Sequence, residues 1–392
     1  MSEWISLLDA CNIRTGKLDS NMEEPEGNYP FFTCAPKPHR INSFSFEGDV
    51  IILAGNNAAG NFHCQRYSGK FDAYQRTYVI TAGSNFDIDY IFYYLKLNLI
   101  YFSKKSQGSQ TKFLTMTILN DFVIKVLPID EQQKISKLLK FLDQKIALNN
   151  QINEELEAMA KTLYDYWFVQ FDFPDENGKP YKSSGGKMVY NDQLKREIPE
   201  GWGVDSLWNI ATFYNGLAMQ KFRPASEIDE SLPVIKIREM FSGFSKDTEK
   251  ASTAIPKEAI IEAGDILFSW SATLEVILWG GEKGALNQHI FKVTSEKYPK
   301  SFIYNELRSY LKVFKTIAEL RKTTMGHITQ DHLKQAMIIV PPNDLIDEIH
   351  NRISPILKQQ LDLKQQNQEL TQLRDWLLPM LMNGQVRVED KT

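Results

Sequence analysis

The chain contains its own sequence twice, and this internal repeat constrains the fold more than any other feature. A looser copy of the segment that begins at Thr115 starts at Thr329, and the ungapped pairs include Thr115 with Thr329, Pro128 with Pro342, and Asn153 with Asn367. Upstream, small insertions separate further pairs, namely Gly48 with Gly264, Gln75 with Gln288, and Trp4 with Trp202. A repeat of roughly 200 residues is far longer than a solenoid unit. It predicts two similar domains and two similar binding faces related by pseudo-twofold symmetry.

Each copy has a β-rich, mixed part followed by a long helical part, so we predict an α+β protein. In the first copy, residues 44–53 and 76–82 have the composition of strands, and residues 87–98 have helical spacing of their aromatic side chains. The second copy repeats this order through IEAGDILFSW, HIFKVTS and FIYNELRSYLKVFKTIAEL.

Apolar residues then recur at steps of three and four after Pro128 and again after Pro342. This spacing predicts two helices of about 35–40 residues, about 50–60 Å long, that pair as an antiparallel coiled coil. The first stripe is interrupted near Asn149. Asn153 and Asn367 occupy the same register, and they are either buried residues that fix this register or part of a solvated face.

The predicted domains follow from these patterns. They are a first domain at 1–128, a first helix at 129–168, a linker at 169–200, a second domain at 201–342, and a second helix with a tail at 343–392. The linker is predicted to be exposed because it is rich in Pro, Gly and Ser. In the tail, QVRV is predicted to form a short strand.

Composition is that of an ordinary globular protein, with 43% hydrophobic and 24% charged residues among 392. No apolar run approaches the length of a membrane span, and the first residues lack the features of a signal peptide. The three cysteines lie in the first copy without metal spacing, which favours reduced thiols and a cytoplasmic protein. The formal charge is −4, and the acidic excess lies in the helices and linker. Any binding of nucleic acid must therefore depend on local basic clusters.

Motifs for catalysis are absent from both copies. The sequence has no phosphate-binding GxxxxGK[ST], no GxGxxG after a strand, no HExxH and no GxSxG. The six histidines are scattered, and His327 and His332 are not spaced as metal ligands. A duplicated active site would be visible twice, so the sequence favours a binding protein.

Loops at matching positions of the two copies combine basic, amide, hydroxyl and aromatic side chains, the mixture that holds phosphates and reads base edges. Solvated turns are the alternative interpretation of each loop. The candidate DNA-binding residues in the first copy are Asn57, Lys70, Tyr74, Arg76, Lys104, Lys105, Ser109, Gln110, Thr111 and Lys112. Those in the second copy are Ser269, Lys283, Gln288, His289, Arg321, Lys322, Thr323, Thr324 and His327.

The order of these motifs resembles the specificity (S) subunit of type I restriction-modification enzymes. The resemblance covers essentially the whole chain. It includes G-D-[VI]-[IL], LPIDEQQKI at the start of the first helix, and LYDYWFVQFDFP, GKPYKSSGGKMV and IPEGW between the helix and the second domain. The second helix begins with PPNDLIDEI, which departs from the usual E-Q pattern.

The resemblance implies two target-recognition domains, inverted relative to one another and held apart by the two helices, that each read half of a split, asymmetric DNA sequence. It implies a non-catalytic chain that binds no cofactor. Two methyltransferase (M) subunits would use S-adenosylmethionine, and restriction (R) subunits would use ATP and Mg²⁺. Candidate residues for docking M subunits on the helices are Leu142, Leu156, Leu163, Ile353, Leu370 and Leu377.

Two other functions remain open at this stage. One is a nuclease or methyltransferase with a degenerate motif, although no [DN]-P-P-[YF] occurs. The other is a structural protein whose two domains bind protein. If the chain reads DNA, half-sites about 34–36 Å apart fall within the reach of the predicted helices, and helix length would then act as a ruler for the gap.

Overall fold

The computed structural model describes residues 4–226, 228–320 and 326–389. The chain divides into two compact units. Unit 1 comprises Met1–Lys145 and Leu370–Thr392, and unit 2 comprises Ile146–Glu369. The two long helices, α5 (Ile129–Tyr164) and α10 (Asn343–Met382), contribute residues to both units. Each unit is described by itself below.

Unit 1 is built around a six-stranded sheet. The strands of the whole unit are β1 (Trp4–Ser6), β2 (Cys11–Thr15), β3 (Tyr29–Phe32), β4 (His39–Ile41), β5 (Phe46–Ala54), β6 (Asn56–Asn57), β7 (Cys64–Ala73), β8 (Thr77–Ala82), β9 (Lys112–Phe113) and β10 (Val123–Lys125). Its shorter helices are α1 (Leu7–Ala10), α2 (Ile88–Leu97), α3 (Leu99–Lys105) and α4 (Met116–Asp121). The predicted strands 44–53 and 76–82 and the predicted helix 87–98 are thereby confirmed as β5, β8 and α2.

The sheet of unit 1 has the strand order β2-β8-β5-β7-β3-β4, and all its pairs are antiparallel except β3 with β7. Both of its faces are covered, because alternate residues of β5 enter two different hydrophobic clusters. Ile51 and Leu53 pack with helix α2, whereas Val50 and Ile52 pack with Phe71. This alternation explains why β5 has an almost continuous apolar sequence.

Unit 2 repeats this arrangement in the same order. Its strands are β11 (Met188–Asn191), β12 (Arg196–Pro199), β13 (Gly203–Ser206), β14 (Thr212–Asn215), β15 (Ser231–Ile235), β16 (Lys250–Ser252), β17 (Ile260–Ile261), β18 (Ile266–Ser269), β19 (Glu275–Leu278), β20 (Gly284–Leu286), β21 (Ile290–Thr294) and β22 (Met337–Val340). Its shorter helices are α6 (Leu207–Ile210), α7 (Ile237–Ser242), α8 (Lys300–Leu320) and α9 (Gln330–Gln335).

The main difference between the units is that the continuous strand pair β5–β7 of unit 1 is divided in unit 2, where β18 pairs with β19 and β17 pairs with β20. In unit 1, β7 is a single strand that pairs with β5 along most of its length and with β3 at its end. In unit 2 the corresponding residues form two strands, β19 and β20, separated by Gly280 and Gly281. As a result, unit 2 has two four-stranded sheets, ordered β14-β21-β18-β19 and β16-β15-β20-β17.

The first residues of the two copies align differently from the sequence expectation. Strand β1 pairs with β10 as β13 pairs with β22, and Ser6 and Ser206 cap the following helices in the same way. This register aligns Trp4 with Val204, so the match of Trp4 with Trp202 is wrong. The side chain of Trp202 belongs instead to the hydrophobic core of unit 2.

The start of α5 is fixed by Gln132, which is fully buried. Its amide oxygen accepts from the Asp87 backbone N–H at 2.9 Å, and its amide nitrogen donates to the carbonyl oxygens of Leu127 and Asn85 at 2.8 and 3.2 Å. In the second copy the aligned residue is Ile346, also buried. An apolar contact therefore replaces three hydrogen bonds, which accounts for the different sequence at the start of α10.

Within unit 2, α5 and α10 run antiparallel, as predicted. The Gln360 amide donates to the Asn153 carbonyl oxygen at 3.1 Å, whereas Asn367, farther along α10, donates to the Asn150 side chain at 2.7 Å. Helix α5 is continuous through the point near Asn149 where its apolar stripe is interrupted. Asn149 is fully buried and donates to Gln366 at 3.4 Å.

The buried amide layer is defined here as Asn149, Asn153 and Asn367, and the exposed side chains of Asn150 and Gln366 contact it from its edge. The Oδ1 atoms of Asn149, Asn153 and Asn367 are buried and accept no hydrogen bond from the described residues. Of the two interpretations of Asn153 and Asn367, the buried one therefore holds. A buried carbonyl oxygen without a donor costs about 1–3 kcal/mol, so this layer favours one helix register over others at the expense of stability.

Within unit 1, the two helices meet at Asp143. Its carboxylate accepts from the Arg374 guanidinium at 2.7 Å and from the Tyr93 hydroxyl at 2.8 Å, and Lys96 lies 3.6 Å away. Burial opposes ionisation of Asp143, but Arg374 and Lys96 hold its pKa below the ordinary value. The group therefore links α5, α10 and α2 through a charge that stays in place at neutral pH.

Two sequence expectations about irregular segments are corrected by the structure. The segment 169–200 is not simply an exposed linker, because Phe171, Phe173 and Ile198 belong to the core of unit 2 and β11 pairs with β12. Its turns depend on polar side chains and glycines, whereas its aromatic residues pack inside. The QVRV segment forms no strand, since Gln385–Val388 pairs with no neighbouring strand in the described ranges.

A carboxyl group with an unusual pKa joins the end of α5 to α8. The buried Tyr164 hydroxyl donates to Glu306 Oε1 at 2.5 Å. Burial raises the pKa of Glu306 from 4.5 to about 7, although the Tyr164 hydrogen bond partly opposes this rise. Since the folded chain holds this proton more tightly than the unfolded chain, the stability from Glu306 is complete below about pH 4.5 and is lost as pH rises through about 7.

We therefore expect Glu306→Gln, which keeps an acceptor for Tyr164 but has no charge, to stabilise the protein at pH 8 and to have little effect at pH 5. The gain at pH 8 should be no more than about 3 kcal/mol. The measurement is the melting temperature (Tm) at both pH values, with the exposed Glu296→Gln as control. An equal pH dependence of the two variants would contradict the assignment.

A second prediction concerns the buried amide layer. Asn149→Leu removes a buried oxygen that lacks a donor, at the cost of one long hydrogen bond, so we expect unfolding to become harder by about 1–2 kcal/mol. For a unit of this size the Tm should rise by about 2–8 °C. A clear fall in Tm would mean that the amide layer contributes net stability.

Candidate nucleic-acid interface

One tight turn in unit 1 is held by backbone hydrogen bonds from three surrounding segments, one of which is bonded in turn to a fourth. The turn is Tyr74–Thr77, between β7 and β8. The hydrogen bonds run from Tyr74 N to Phe32 O at 2.9 Å, Gln75 N to Leu18 O at 2.9 Å, Gly16 N to Thr77 O at 3.1 Å, Gly55 N to Arg76 O at 2.9 Å, and Leu114 N to Gly55 O at 2.8 Å. Because every bond in this set joins backbone groups, the frame does not depend on the side chains of the turn.

Unit 2 repeats the same frame around the turn Asn287–Ile290. The matching bonds run from Asn287 N to Ile235 O at 3.1 Å, Gln288 N to Leu217 O at 2.9 Å, Gly216 N to Ile290 O at 3.0 Å, Trp270 N to His289 O at 3.3 Å, and Ile328 N to Trp270 O at 2.9 Å. The two turns, called here the unit 1 turn and the unit 2 turn, are therefore structurally equivalent.

A glycine is required beside each turn. A Cβ atom on Gly16 would lie 2.0 Å from the Ala73 carbonyl oxygen, and one on Gly216 would lie 2.2 Å from the Asn287 carbonyl oxygen. Either distance is a severe clash with backbone atoms. The close approach of these two chain segments therefore excludes any side chain at these two positions.

The unit 1 turn borders an open pocket of about 280 Å³ lined by Gly55, Gln75, Arg76, Tyr78 and Leu114. Gln75 and Arg76 are exposed. The Tyr78 hydroxyl donates to the Leu114 carbonyl oxygen at 2.9 Å, and burial raises the pKa of Tyr78, so this wall of the pocket stays uncharged. Arg76 has no carboxylate within ion-pair distance in the part of the chain that the structure describes.

The unit 2 turn borders a pocket of about 340 Å³ with different side chains, namely Gln220, Lys236, Ile237, Arg238, Asn287, Gln288 and His289. Its two cations are already paired, since Lys236 lies 2.6 Å from Glu249 and Arg238 lies 2.6 Å from Glu239. The Trp270 ring lies between two imidazoles, with its centroid 5.6 Å from those of His289 and His327.

The sequence-predicted loop of unit 1 lies beside the unit 1 turn. Lys104 and Lys105 end α3, and Ser109, Gln110 and Thr111 are exposed in the following loop. Lys112 pairs in β9 with Asn57 in β6, and Asn57 Oδ1 accepts from the backbone N–H groups of Ala59 and Asn61. Asn57 therefore shapes its own loop, whereas the exposed side chains remain candidates for contact with DNA.

Two of the predicted DNA-binding residues lie away from the unit 1 turn and the unit 2 turn. Lys70 lies within β7 with its ammonium 4.7 Å from the Phe44 ring centroid. Lys283 is 3.6 Å from Glu262 and borders a different pocket with Gln365 and Gln368 of α10.

The prediction that Ser269 contacts DNA is wrong. It is fully buried, and its hydroxyl donates to the Thr273 carbonyl oxygen at 2.6 Å and accepts from the Glu275 N–H at 2.9 Å. Ser269 therefore stabilises a turn inside the protein. In unit 2, His327 is exposed beside Trp270, and Arg321, Lys322, Thr323 and Thr324 lie outside the described residues.

The structure also adds residues that the sequence analysis did not nominate. Gln75, Gln220, Lys236, Arg238, Asn287 and Trp270 border the two turns. The sequence analysis had nominated Tyr74, Arg76, Gln288 and His289 in these turns, and for Gln75 its only signal was the alignment with Gln288. The long-range hydrogen bonds that assemble the rest were not visible in the sequence.

Of the six residues of α5 and α10 that were predicted to dock M subunits, four pack in the hydrophobic cores of their own units. Leu142 and Ile353 are buried, and Leu163 and Leu377 pack against the cores of their units. Leu156 and Leu370 are half-buried. A repeat of apolar residues along a helix marks the side that packs in its own protein, so the four residues that pack in the cores are not available to a partner. On α5 and α10 within unit 1, the exposed large apolar residues are instead Ile129, Phe141, Leu373 and Trp376.

Within residues 4–226, 228–320 and 326–389, no cluster of His, Cys, Asp or Glu side chains is arranged to hold a metal ion. No helix in those ranges combines the length and apolar character needed to cross a bilayer.

Comparison with known proteins gives a consistent result. Residues 1–158 and 199–372 match the family described as type I restriction modification DNA specificity domain. The MjaIX specificity subunit of Methanocaldococcus jannaschii is 26% identical over 77% of this chain and 70% of its own length. The EcoDI specificity subunit of Escherichia coli is 31% identical over 53% of this chain and 49% of its own length.

Among solved structures, the type I restriction-modification S subunit from M. genitalium has the same fold. It aligns with a TM-score of 0.61 at 15% identity, over 99% of this chain and 96% of its own. The two matched segments contain the unit 1 turn and the unit 2 turn, respectively. The chain therefore belongs to the type I restriction-modification specificity subunits, a non-catalytic family, and carries two copies of the family's DNA-recognition domain.

Proposed function

We propose that this chain directs a type I restriction-modification complex to a bipartite, asymmetric DNA sequence, with one half read by each domain. The observation that carries this proposal is the pair of equivalent turns, in which the same backbone frame holds different side chains. A symmetric site would need the same readout groups twice. Different groups on one scaffold are suited to two different half-sites.

The chemistry of the two turns fits this division. In unit 1, Arg76, Lys104 and Lys105 offer cations that can contact phosphates or a guanine edge. In unit 2, Lys236 and Arg238 are each paired with a carboxylate and bring less net positive charge. The second domain would therefore depend more on hydrogen bonding and on the aromatic surface of Trp270.

The partners in this proposal are double-stranded DNA, two M subunits and R subunits. The M subunits would use S-adenosylmethionine for methylation, and the R subunits would use ATP and Mg²⁺. The specificity chain itself would bind none of these cofactors. Phosphate contacts from the partners would supplement the limited positive charge of this chain, whose formal net charge is −4.

The exposed apolar side chains of unit 1 support a docking surface for an M subunit. Phe141 on α5 is 63% exposed, and Trp376 on α10 is 56% exposed. The Asp143–Arg374 contact, two residues from each, places them at the same level of the helix pair. Large exposed aromatic side chains are enriched among residues that contribute strongly to protein–protein binding.

The function is tested by mapping methylated adenines in DNA from cells that express this chain with its M subunits. We expect a motif of two specified blocks separated by an unspecified gap, and no methylation by the chain alone. Gln110→Ala should alter the first-domain block only, and His327→Ala the other block only, each by about 1–3 kcal/mol at the affected position. A single continuous motif, or two variants that alter the same block, would contradict a bipartite reader.

Docking is tested by co-purification with the M subunit. Phe141→Glu and Trp376→Glu place a charge on the proposed surface, and each should weaken M binding at least tenfold, equivalent to about 1.4 kcal/mol. Ile100→Glu is a matched control, because Ile100 is 66% exposed on α3 of the same unit. Equal retention of the M subunit by all three variants would exclude this surface.

A further inference from the structure

The unit 1 turn and the unit 2 turn differ at every position except one. Unit 1 has Tyr74, Gln75, Arg76 and Thr77, whereas unit 2 has Asn287, Gln288, His289 and Ile290. The glutamine is the shared side chain. Its backbone N–H is also fixed in the same way in both units, by a carbonyl oxygen 2.9 Å away.

We propose that Gln75 and Gln288 are specificity-determining residues, and that each reads the adenine of an A·T pair in its half of the target through the major groove. The inference rests on the proposed function and assigns a particular base to one residue in each domain. The neighbouring residues, Arg76 and His289, would read the adjacent base pair and make the two halves different.

The carboxamide group of glutamine has the required chemistry. Its NH₂ can donate to adenine N7 while its oxygen accepts from the adenine N6 amino group, a pair of bonds that no other base offers in the major groove. Gln75 is exposed, and its side chain makes no hydrogen bond with the described residues. Gln288 makes one long contact, 3.4 Å from its amide nitrogen to His289 Nε2, which a base can replace.

The backbone frame gives this contact its precision. On both sides of the glutamine, neighbouring segments hold the main chain through the bonds at Tyr74 N and Arg76 O in unit 1, and at Asn287 N and His289 O in unit 2. Since Gly16 and Gly216 lie against the turns without side chains, the frame cannot easily shift. A side chain that extends from a rigid element can discriminate bases, whereas one on a loose loop loses discrimination through its own mobility.

The residues beside each glutamine account for the difference between halves. Arg76 has no carboxylate partner in the described ranges, so its guanidinium is available for guanine O6 and N7. His289 instead lies against Trp270, whose indole is held by a 2.9 Å hydrogen bond to Asn215. This second arrangement offers an imidazole edge next to an aromatic ring, which suits a different base pair.

The test uses the complete complex of this chain with its M subunits. Methylated motifs are mapped for the wild type and for Gln75→Ala, Gln75→Glu, Gln288→Ala and Gln288→Glu, with Gln133→Ala on the exposed face of α5 as control. Relative methylation rates are then measured on oligonucleotides that carry each base at each specified position. Melting curves check that each variant folds, which we expect because both glutamines border open pockets.

In each wild-type half we expect an A·T pair whose recognition depends on the glutamine of that domain, beyond the adenine that methylation itself requires. Gln75→Ala should reduce the preference for that pair by roughly 5- to 150-fold in the first-domain half only, and Gln288→Ala in the other half only. The glutamate variants should shift the preference toward C·G, because a carboxylate accepts from the cytosine amino group and repels adenine N7. Gln133→Ala should leave both halves unchanged.

A wild-type bipartite motif that the alanine and glutamate variants leave intact would overturn this inference and leave the proposed function standing. A half whose only A·T pair is the one that carries the methylated adenine, with a preference there that the glutamine variants do not change, would also overturn it. Absence of any bipartite motif in the wild type would instead contradict the proposed function itself, so the two failures are distinguishable.

Discussion

The backbone hydrogen bonds around Gly16 and Gly216 are the constraint on which the recognition surface depends. They join the turn to three other segments in each unit, and they require no particular side chain at the turn. A side-chain network at this place would have coupled every base contact to folding. Because amide and carbonyl groups form the frame, unit 1 can present Arg76 where unit 2 presents His289, without any change in the fold that holds them.

The contacts between the helices and the domains follow the opposite principle, since they rely on particular side chains that differ between copies. Gln132 uses its whole amide to fix the start of α5, and Ile346 replaces it in α10. Ser136 donates to Asp87 at 2.6 Å in unit 1, whereas Ser301 and His350 make the aligned contact at 2.9 Å in unit 2. The same junction is thus built with different chemistry, which keeps the geometry while the sequences of the copies diverge.

Much of this architecture was predictable from the sequence, because the repeat and its apolar periodicity are local signals. The strands β5 and β8, the helix α2 and the antiparallel helix pair were all predicted from spacing. Three features were not. The burial of Phe171 and Phe173, the structural role of Ser269 and the pockets around Gln75 and Gln288 each depend on residues far apart in the chain. Composition suggested a solvated linker, and only tertiary packing shows that its aromatic residues enter the core.

The exposure of the turn side chains has a consequence for how such a protein changes over evolutionary time. Gln75, Arg76 and His289 point away from the frame, so their replacement removes little buried surface and leaves the backbone bonds intact. Substitutions at these positions are then selected mainly through the DNA sequence that the host genome must protect, because they have little effect on folding. Since each unit has its own frame, one half of the target can drift while the other stays fixed, and a lineage can acquire a new target one block at a time.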